Sequence, residues 1–339
     1  MVIGETSRAA NWSIYGYNRN TNPELTKIKG LTAFSHVLTE SNTTHKSVPM
    51  LMSSVTAHDF NSIYRQKGII TAFKEAGYRT AFFSNQRYNH SFIDFFGKEA
   101  DICDFIKEDT GDGSYNPSDD ELLKLVAAEL AENASKQFIV LHTYGSHFNY
   151  RERYPANNAF FLPDFPVDAE LKYKDNLINA YDNSIRYTDN FLARLIRMLQ
   201  EQDIDTAMLY TSDHGEDIFD DDRHLFLHAS PVPSYYQIHV PFLIWMSDNY
   251  RKNYPDLFKN AEINRQKNIS SSASFFQTML ELGGIDTPSR NDSLSVINAS
   301  YTEKNRVYLN DHNEARSLND IGMREEDFTM LQMKGIVYR

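Results

Sequence analysis

Acidic and histidine side chains are concentrated just after an apolar run in the second half of the chain. Asp213, His214 and Glu216 follow residues 207–211, whose apolar character predicts a buried strand. Open α/β sheets bind ligands at the carboxyl ends of their strands, and aspartate and neutral histidine are good zinc ligands. The segment therefore predicts a metal site, while an ordinary turn with a polar pair stays open as the simpler interpretation.

Two further histidines are expected at the same edge of the sheet. His147 follows the predicted strand 138–142, and His228 lies in the loop after Asp222. Each suits contact with a phosphate or a second metal, and each alone is also compatible with a hydrogen-bonded structural role. Their convergence on one edge favours ligand or phosphate contact.

Small hydroxyl residues crowd a predicted helix start at 41–49, after the predicted strand 37–39. Thr44 lies there, and Glu5 follows the predicted first strand, 2–3. A helix N-terminus offers free N–H groups and the positive end of a dipole, which suits a phosphate dianion and an ionised nucleophile. The simpler interpretation is that the hydroxyl residues are N-caps.

The elements that must position these residues alternate between short apolar runs and stretches with helical periodicity. The predicted strands are 2–3, 37–39, 80–83, 138–142, 207–211, 241–246 and 306–309. The predicted helices follow a capping box at 118–121 and cover 177–199 and 274–282, the last ending at a Gly pair. A loop is predicted at 150–168, near the site. This alternation predicts an α/β fold, in a single domain over 1–339.

Composition excludes several classes of protein. The chain has 339 residues, 41% of them hydrophobic, and a formal net charge of −12, with no block of Lys and Arg interleaved with aromatics. Nucleic acid is therefore not an expected partner. The sequence contains no run of about 18 apolar residues that could span a bilayer. Cys103 is the single cysteine, so no internal disulfide is possible.

Taken in order, these segments resemble the phosphoethanolamine transferases, which are sulfatase-like members of the alkaline phosphatase superfamily. The resemblance is carried by residues 4–8, 15–17, 21–23, 145–147, 153–155 and 181–189 together with the candidates above. It implies a mixed, mostly parallel sheet flanked by helices on both faces. Members have an N-terminal membrane domain, and we expect that the abrupt start at Met1 reflects its removal. Better-known members also carry disulfides, which this chain lacks.

The resemblance assigns roles to individual residues. The implied ligands of one tight Zn²⁺ site, with Thr44 also the nucleophile, are Glu5, Thr44, Asp213 and His214. The implied contacts of the transferred phosphate or of a second zinc are His147 and His228. Looser candidates for a second metal site are Glu216 and Asp59. Candidates for substrate binding are Asn85, Gln86 and Lys46.

The implied reaction moves phosphoethanolamine from phosphatidylethanolamine through a covalent threonine intermediate to a hydroxyl of lipid A, core oligosaccharide or another glycan. The implied location is the periplasmic face of the bacterial inner membrane, with membrane contact through the missing domain, a monomeric state and a link to polymyxin resistance. A related phosphodiesterase or phosphoglycerol transferase stays open, as does an inactive domain that binds lipid or glycan. A sulfatase requires an arginine two residues after the proline of its motif. Leu51 stands at that position after Pro49 here, which disfavours a sulfatase.

Overall fold

The computed structural model of the protein describes residues 1–107, 116–132 and 134–338. Along this part of the chain the strands are β1 Val2–Gly4, β2 Leu31–Phe34, β3 Val37–Leu38, β4 Arg79–Ser84, β5 Ile102–Phe105, β6 Gln137–His142, β7 Ala207–Ser212, β8 Asp217–Ile218, β9 Phe226–Leu227, β10 Phe242–Met246, β11 Ile269–Ser270, β12 Val307–Leu309 and β13 Ala315–Ser317. The α-helices are α1 Thr44–Met52, α2 Ile69–Glu75, α3 Phe92–Gly97, α4 Asp120–Ala131, α5 Lys174–Gln200, α6 Tyr235–Ile238, α7 Asp248–Asn253, α8 Pro255–Asn264, α9 Ser271–Leu282 and α10 Glu325–Met333. Short 3-10 segments join them, the longest being Ala57–Arg65.

The central sheet has seven strands in the order β2-β10-β7-β1-β6-β4-β5. Strand β1 pairs in parallel with β6 and β7, and β4 pairs in parallel with β5 and β6. Strand β10 runs antiparallel to both of its neighbours, β2 and β7. The sheet is therefore mixed and mostly parallel, which confirms the predicted fold class. The carboxyl ends of β1, β6 and β7 meet at one edge.

Both faces of the sheet are covered by helices, because successive side chains of a strand point to opposite sides. On one face the strands contribute Ile3, Phe82, Val140, Leu209 and Ile244 to a core shared with α1, α2 and α9. On the other face they contribute Val2, Phe83, Leu141, Tyr210 and Trp245 to a core shared with α4 and α5. Strands buried on both faces read as continuous apolar runs, which is why the sequence reveals them.

Five of the predicted strands form the middle of this sheet, with ends that differ from prediction by one residue: 2–3, 80–83, 138–142, 207–211 and 241–246. The predicted strands 37–39 and 306–309 also form, but in separate two-stranded sheets, β3 with β11 and β12 with β13. Two strands of the central sheet, β2 and β5, were not predicted. Within the described residues, no helix combines the length and the apolar character that a membrane crossing requires.

The predicted helices are present as α4, α5 and α9, but the predicted capping box at the start of α4 does not form. The Ser118 hydroxyl accepts a hydrogen bond from Asp120 N at 3.2 Å, whereas the Glu121 carboxylate pairs with Lys124. Asp119 occupies the N-cap position without capping the helix through its side chain. Its carboxylate serves the candidate site instead, as described below.

Candidate metal centre

Strand register brings Glu5 and Asp213 together. Gly4, the last residue of β1, pairs with Ser212, the last residue of β7, so both chains leave the sheet at the same level. Asp213 N donates a hydrogen bond to Gly4 O at 3.1 Å, which continues the ladder one step beyond the strands. The two carboxylates that follow therefore face the same space.

The four residues predicted as zinc ligands lie in one cluster. Ligand atoms of Glu5, Asp213 and His214 are all within 4.8 Å of one another. His214 Nε2 is 3.2 Å from Asp213 Oδ2 and 3.6 Å from Glu5 Oε1. The Thr44 hydroxyl, at the first residue of α1, is 3.0 Å from Glu5 Oε1 and 3.1 Å from His214 Nε2. Three chain segments distant in sequence thus supply four convergent ligand atoms.

Hydrogen bonds fix the orientation of His214 and Asp213. His214 Nδ1 faces the Gly215 carbonyl at 2.9 Å, so Nδ1 carries the proton and Nε2 turns its lone pair to the cluster. Asp213 Oδ1 accepts from the N–H groups of Thr6 and His214. Asp213 Oδ2 is buried without a hydrogen-bond donor among the described residues. That oxygen and the Nε2 lone pair are free for a cation.

The two buried carboxylates of the cluster also favour binding of a cation. Burial, reinforced by the charge of Asp213, raises the pKa of Glu5 well above its usual range, and burial raises the pKa of Asp213 to about 7. Burial lowers the pKa of His214 well below its usual range, so the ring is neutral. Among the described residues, the group paired with both carboxylates is the His214 ring. Because this ring is neutral, it does not balance their negative charge. A donor set of two carboxylates and one imidazole fits Zn²⁺.

His147, His228 and Glu216 lie beside this cluster, as predicted for a second metal or phosphate contact. The His228 ring centroid is 4.3 Å from that of His214 and 6.3 Å from that of His147. His228 Nδ1 is 3.5 Å from Glu216 Oε2, and Glu216 Oε1 is buried without a described partner. The Phe148 carbonyl accepts from His147 Nδ1 at 2.6 Å, and burial lowers the pKa of His147 to about 4, so its Nε2 is a neutral acceptor.

Comparison with known proteins agrees with this geometry. The profile of the sulfatase family matches residues 1–285. The chain belongs to the sulfatase family. Among curated relatives, the Kdo(2)-lipid A phosphoethanolamine 7''-transferase of Escherichia coli (strain K12) is 31% identical over 281 residues, covering 79% of this chain and 47% of that protein. Phosphoethanolamine transferase EptC of the same strain is 26% identical over 317 residues, covering 90% and 54%. The chain thus spans about half the length of these relatives.

A solved structure extends the comparison to three dimensions. The C-terminal periplasmic domain of EptC from Escherichia coli, in complex with Zn, superposes with a TM-score of 0.85 at 25% identity, covering 95% of this chain and 92% of that one. The resemblance to phosphoethanolamine transferases is confirmed, and so is the sulfatase-like fold.

Other candidates of this sulfatase-family chain support the site or lie apart from it. Gln86 Nε2 donates to Glu5 Oε2 at 3.3 Å and to Thr143 O at 3.1 Å, so it orients a candidate ligand. Asn85 Nδ2 donates to Pro117 O and to Asp119 Oδ1. Both side chains use their amide groups within the protein, and their predicted role in substrate binding stays a prediction.

Lys46 and Asp59 have their polar groups engaged elsewhere. Lys46 Nζ donates to Asn310 O at 2.8 Å, in the turn between β12 and β13. The Asp59 carboxylate caps its own 3-10 segment through the N–H and hydroxyl of Thr56. None of the contacts of the described residues links Asp59 to Glu5, Asp213 or His214. Its assignment as a second-site ligand gains no support from this geometry.

Sequence reasoning missed Asp119 as a residue that shapes the sulfatase-family site. Asp119 Oδ1 accepts from Tyr144 N at 2.8 Å and Oδ2 accepts from Gly145 N at 2.9 Å. Gly145 has a φ of +52°, and a Cβ there would lie 2.8 Å from Glu5 O. Ser146 N donates to Glu5 O at 3.0 Å. Asp119 thus holds the turn that packs on the Glu5 backbone. The sequence signals this turn through Gly145, which follows the end of a buried strand, but carries no signal that Asp119 binds it.

Proposed function

We propose that the chain is the catalytic part of a zinc-dependent phosphoethanolamine transferase. One observation carries the proposal: the Thr44 hydroxyl lies within 3.1 Å of both Glu5 and His214, at the N-terminus of α1. A hydroxyl between a buried carboxylate and an imidazole lone pair, at the positive end of a helix, has the surroundings of a nucleophile. The names of the relatives add the chemical identity of the group transferred.

Glu5, Asp213 and His214 would hold the metal, with Thr44 at the same position. A divalent cation there supplies positive charge that lowers the pKa of a hydroxyl and balances the two carboxylates. We assign one tight zinc ion to these residues and leave His147, His228 and Glu216 for the phosphate or for a second ion.

In the first half-reaction Thr44 Oγ1 attacks the phosphorus of phosphatidylethanolamine. The Thr44 proton leaves along the hydrogen bond to Glu5 Oε1, an Oγ–P bond forms, and the P–O bond to diacylglycerol breaks. We assign proton transfer to the leaving oxygen to His228. Its Nδ1 lies 3.5 Å from Glu216 Oε2, which orients the ring.

In the second half-reaction an acceptor hydroxyl attacks the phosphoethanolamine held on Thr44. The new O–P bond forms, the Oγ–P bond breaks and Thr44 regains its proton, so the kinetics are ping-pong. The proton of the acceptor hydroxyl passes to His228, which regains the proton that it gave to the diacylglycerol oxygen, and His147, with its ring centroid 6.3 Å from that of His228, is left for contact with the phosphoryl oxygens. We propose a hydroxyl of lipid A, core oligosaccharide or another glycan as the acceptor, since a relative is named for Kdo(2)-lipid A.

We further propose that the reaction takes place on the periplasmic face of the bacterial inner membrane, by a monomer whose residues 1–339 act as one domain. The support is the similarity to a periplasmic domain over 95% of this chain. The donor is then a lipid of the membrane next to the enzyme.

The deciding experiment is mass spectrometry of the protein after incubation with zinc and phosphatidylethanolamine. We expect a phosphoethanolamine adduct on the peptide that contains Thr44, and no adduct in Thr44→Ala, whose fold should be intact because Thr43 is the N-cap of α1 and the lost hydrogen bond from Thr44 to Glu5 is worth about 1 kcal/mol. Phosphatidylglycerol is the matched donor control, and a phosphoglycerol adduct would favour the related transferase instead. Transfer by Thr44→Ala at the wild-type rate would refute the nucleophile assignment.

A further inference from the structure

Three large apolar side chains project into solvent from the loop between the candidate site and α5. They are Phe160, Leu162 and Phe165, exposed at 57%, 66% and 70%, and we call them the apolar tip. Apolar side chains scattered singly over a surface are ordinary, but a cluster within six residues marks a contact surface. Three such side chains on one short loop suit contact with an apolar phase.

The backbone of the apolar tip is held by one face of α5. Asn183 Oδ1 accepts from the N–H groups of Phe160 and Phe161, each at 2.9 Å. Asn179 Nδ2 donates to Pro163 O at 2.8 Å, and Asn176 Nδ2 donates to Phe165 O at 2.6 Å. The three asparagines lie at helical spacings that share a face. These hydrogen bonds hold the backbone of the tip while its three apolar side chains stay exposed.

The charges around the apolar tip are arranged as at a phospholipid interface. The one carboxylate inside the tip, Asp164, turns inward to the Tyr154 hydroxyl at 2.8 Å and to Arg151 at 3.1 Å. Two guanidinium groups lie over rings of this loop: Arg186 is 4.1 Å from the Phe160 ring centroid, and Arg19 is 3.9 Å from that of Phe161. Arg19 is neutralised by Asp182 at 2.7 Å, which leaves Arg186 as the cation beside the tip. An apolar centre with a guanidinium group at its margin matches acyl chains below phosphate head groups.

We propose that the apolar tip inserts into the interfacial region of a phospholipid bilayer, with Arg186 against a lipid phosphate. The proposal rests on the proposed function, which requires a lipid donor. The loop that carries the tip begins at Tyr150, three residues after His147, so insertion would hold the candidate site close to the surface that contains the donor. The chain is negative as a whole, but charges beyond about 10 Å are screened, so the charges near the tip decide the contact: Arg186 favours it, and the exposed Asp168, three residues after Phe165, opposes it.

Flotation of the 339-residue protein with vesicles of phosphatidylethanolamine and phosphatidylglycerol tests the proposal without any transfer reaction. We expect binding by the wild type and a loss of about tenfold or more in the triple variant Phe160→Ser, Leu162→Ser, Phe165→Ser, because each side chain removes apolar area from water. The matched control replaces Ile263, Met333 and Val337, which are exposed at 60%, 77% and 53% elsewhere, with serine. Equal binding by wild type and tip variant, or an equal loss in the control, would overturn the assignment.

Two additional measurements separate the remaining interpretations. Arg186→Gln should weaken binding to the anionic vesicles by about fivefold at low salt, since one basic residue near such a surface contributes about 1 kcal/mol; unchanged binding would remove the arginine from the proposal. Sedimentation of the free protein tests a second copy as occupant, and self-association lost in the tip variant would overturn the membrane assignment. Thr44→Ala should bind vesicles like the wild type. Vesicle binding therefore tests insertion of the tip separately from the proposed transfer reaction.

Discussion

Replacement of one candidate zinc ligand, Asp213→Asn, should make the metal-free protein more stable at neutral pH. Burial raises the pKa of Asp213 to about 7 from an ordinary 3.8. A tenfold change in proton affinity corresponds to about 1.4 kcal/mol, so keeping Asp213 ionised in the metal-free fold costs about 4 kcal/mol. Asparagine does not ionise and avoids this cost.

The local geometry suits the substitution. Oδ1 of asparagine still accepts from the N–H groups of Thr6 and His214. The new Nδ2 takes the position of Oδ2, 3.2 Å from the Nε2 lone pair of His214, and donates a hydrogen bond where the wild-type oxygen has no donor among the described residues. No other contact has to change.

The sign of the pH dependence follows from linkage. A carboxyl whose pKa is raised in the folded state binds more protons folded than unfolded, so its contribution to stability is lost as pH rises from about 4 to about 7. Without metal, wild type and Asp213→Asn should unfold with similar free energies near pH 4. Above about pH 7 the variant should be more stable by up to about 4 kcal/mol. With zinc the order should reverse, because the wild type alone has the full set of ligands.

Urea unfolding in the presence of a chelator, repeated across this pH range, measures the difference. Asp101→Asn is the matched control, because Lys74 and Thr80 lower the pKa of Asp101 to about 2, and its contribution to stability is therefore lost as pH falls. That variant should be less stable than wild type at neutral pH. Two results would refute the account that charge repulsion destabilises the metal-free cluster. One is a free energy of unfolding with the same pH dependence in wild type and Asp213→Asn, and the other is a metal-free variant that is less stable than wild type at every pH.

Three further outcomes test the cluster. Chelation should abolish transfer and zinc should restore it, as followed by lipid turnover; full activity in metal-free protein would count against the scheme. Gly145→Ala should cost about 1–3 kcal/mol in urea unfolding and weaken zinc binding, because its φ of +52° and the 2.8 Å approach to Glu5 O leave no room for a Cβ. Asp119→Ala should lower zinc affinity by about 10- to 100-fold in a competition titration, since the N–H groups of Tyr144 and Gly145 lose their acceptor; unchanged affinity would exclude the positioning role.

The central strands could be predicted because their sequences carry a local signal, and the edge strands could not. Residues of β6 and β7 are apolar in succession since both faces of the sheet are covered. Strand β5 is half-exposed and includes Asp104, so its sequence resembles a loop. Its conformation is fixed by pairing with β4, a contact that does not appear in the pattern of either segment alone.

The candidate ligands could be predicted for a related reason. Glu5 and Asp213 come directly after strands, and parallel strands in register release the following residues at a common edge. The functions of the polar residues around them could not be read in this way. Asn85 and Gln86 also follow a strand, and their role in substrate binding stays a prediction; the hydrogen bonds of their amides to Asp119 and Glu5 depend on the tertiary fold and have no local signal in the sequence.

Asp119 illustrates why such supporting residues resist sequence reasoning. A carboxylate just before a helix most often caps that helix, and the local pattern at 118–121 favours this interpretation. In the fold the same carboxylate lies against two N–H groups of the turn at Tyr144 and Gly145, which compete with the helix for it. The turn wins because its N–H groups are otherwise buried without acceptors, whereas the start of α4 retains the Ser118 hydroxyl. Residues such as Asp119, which support the paired carboxylates Glu5 and Asp213, are therefore determined by buried backbone N–H groups that need an acceptor. Supporting residues of this kind should be sought next to such buried N–H groups in the folded structure.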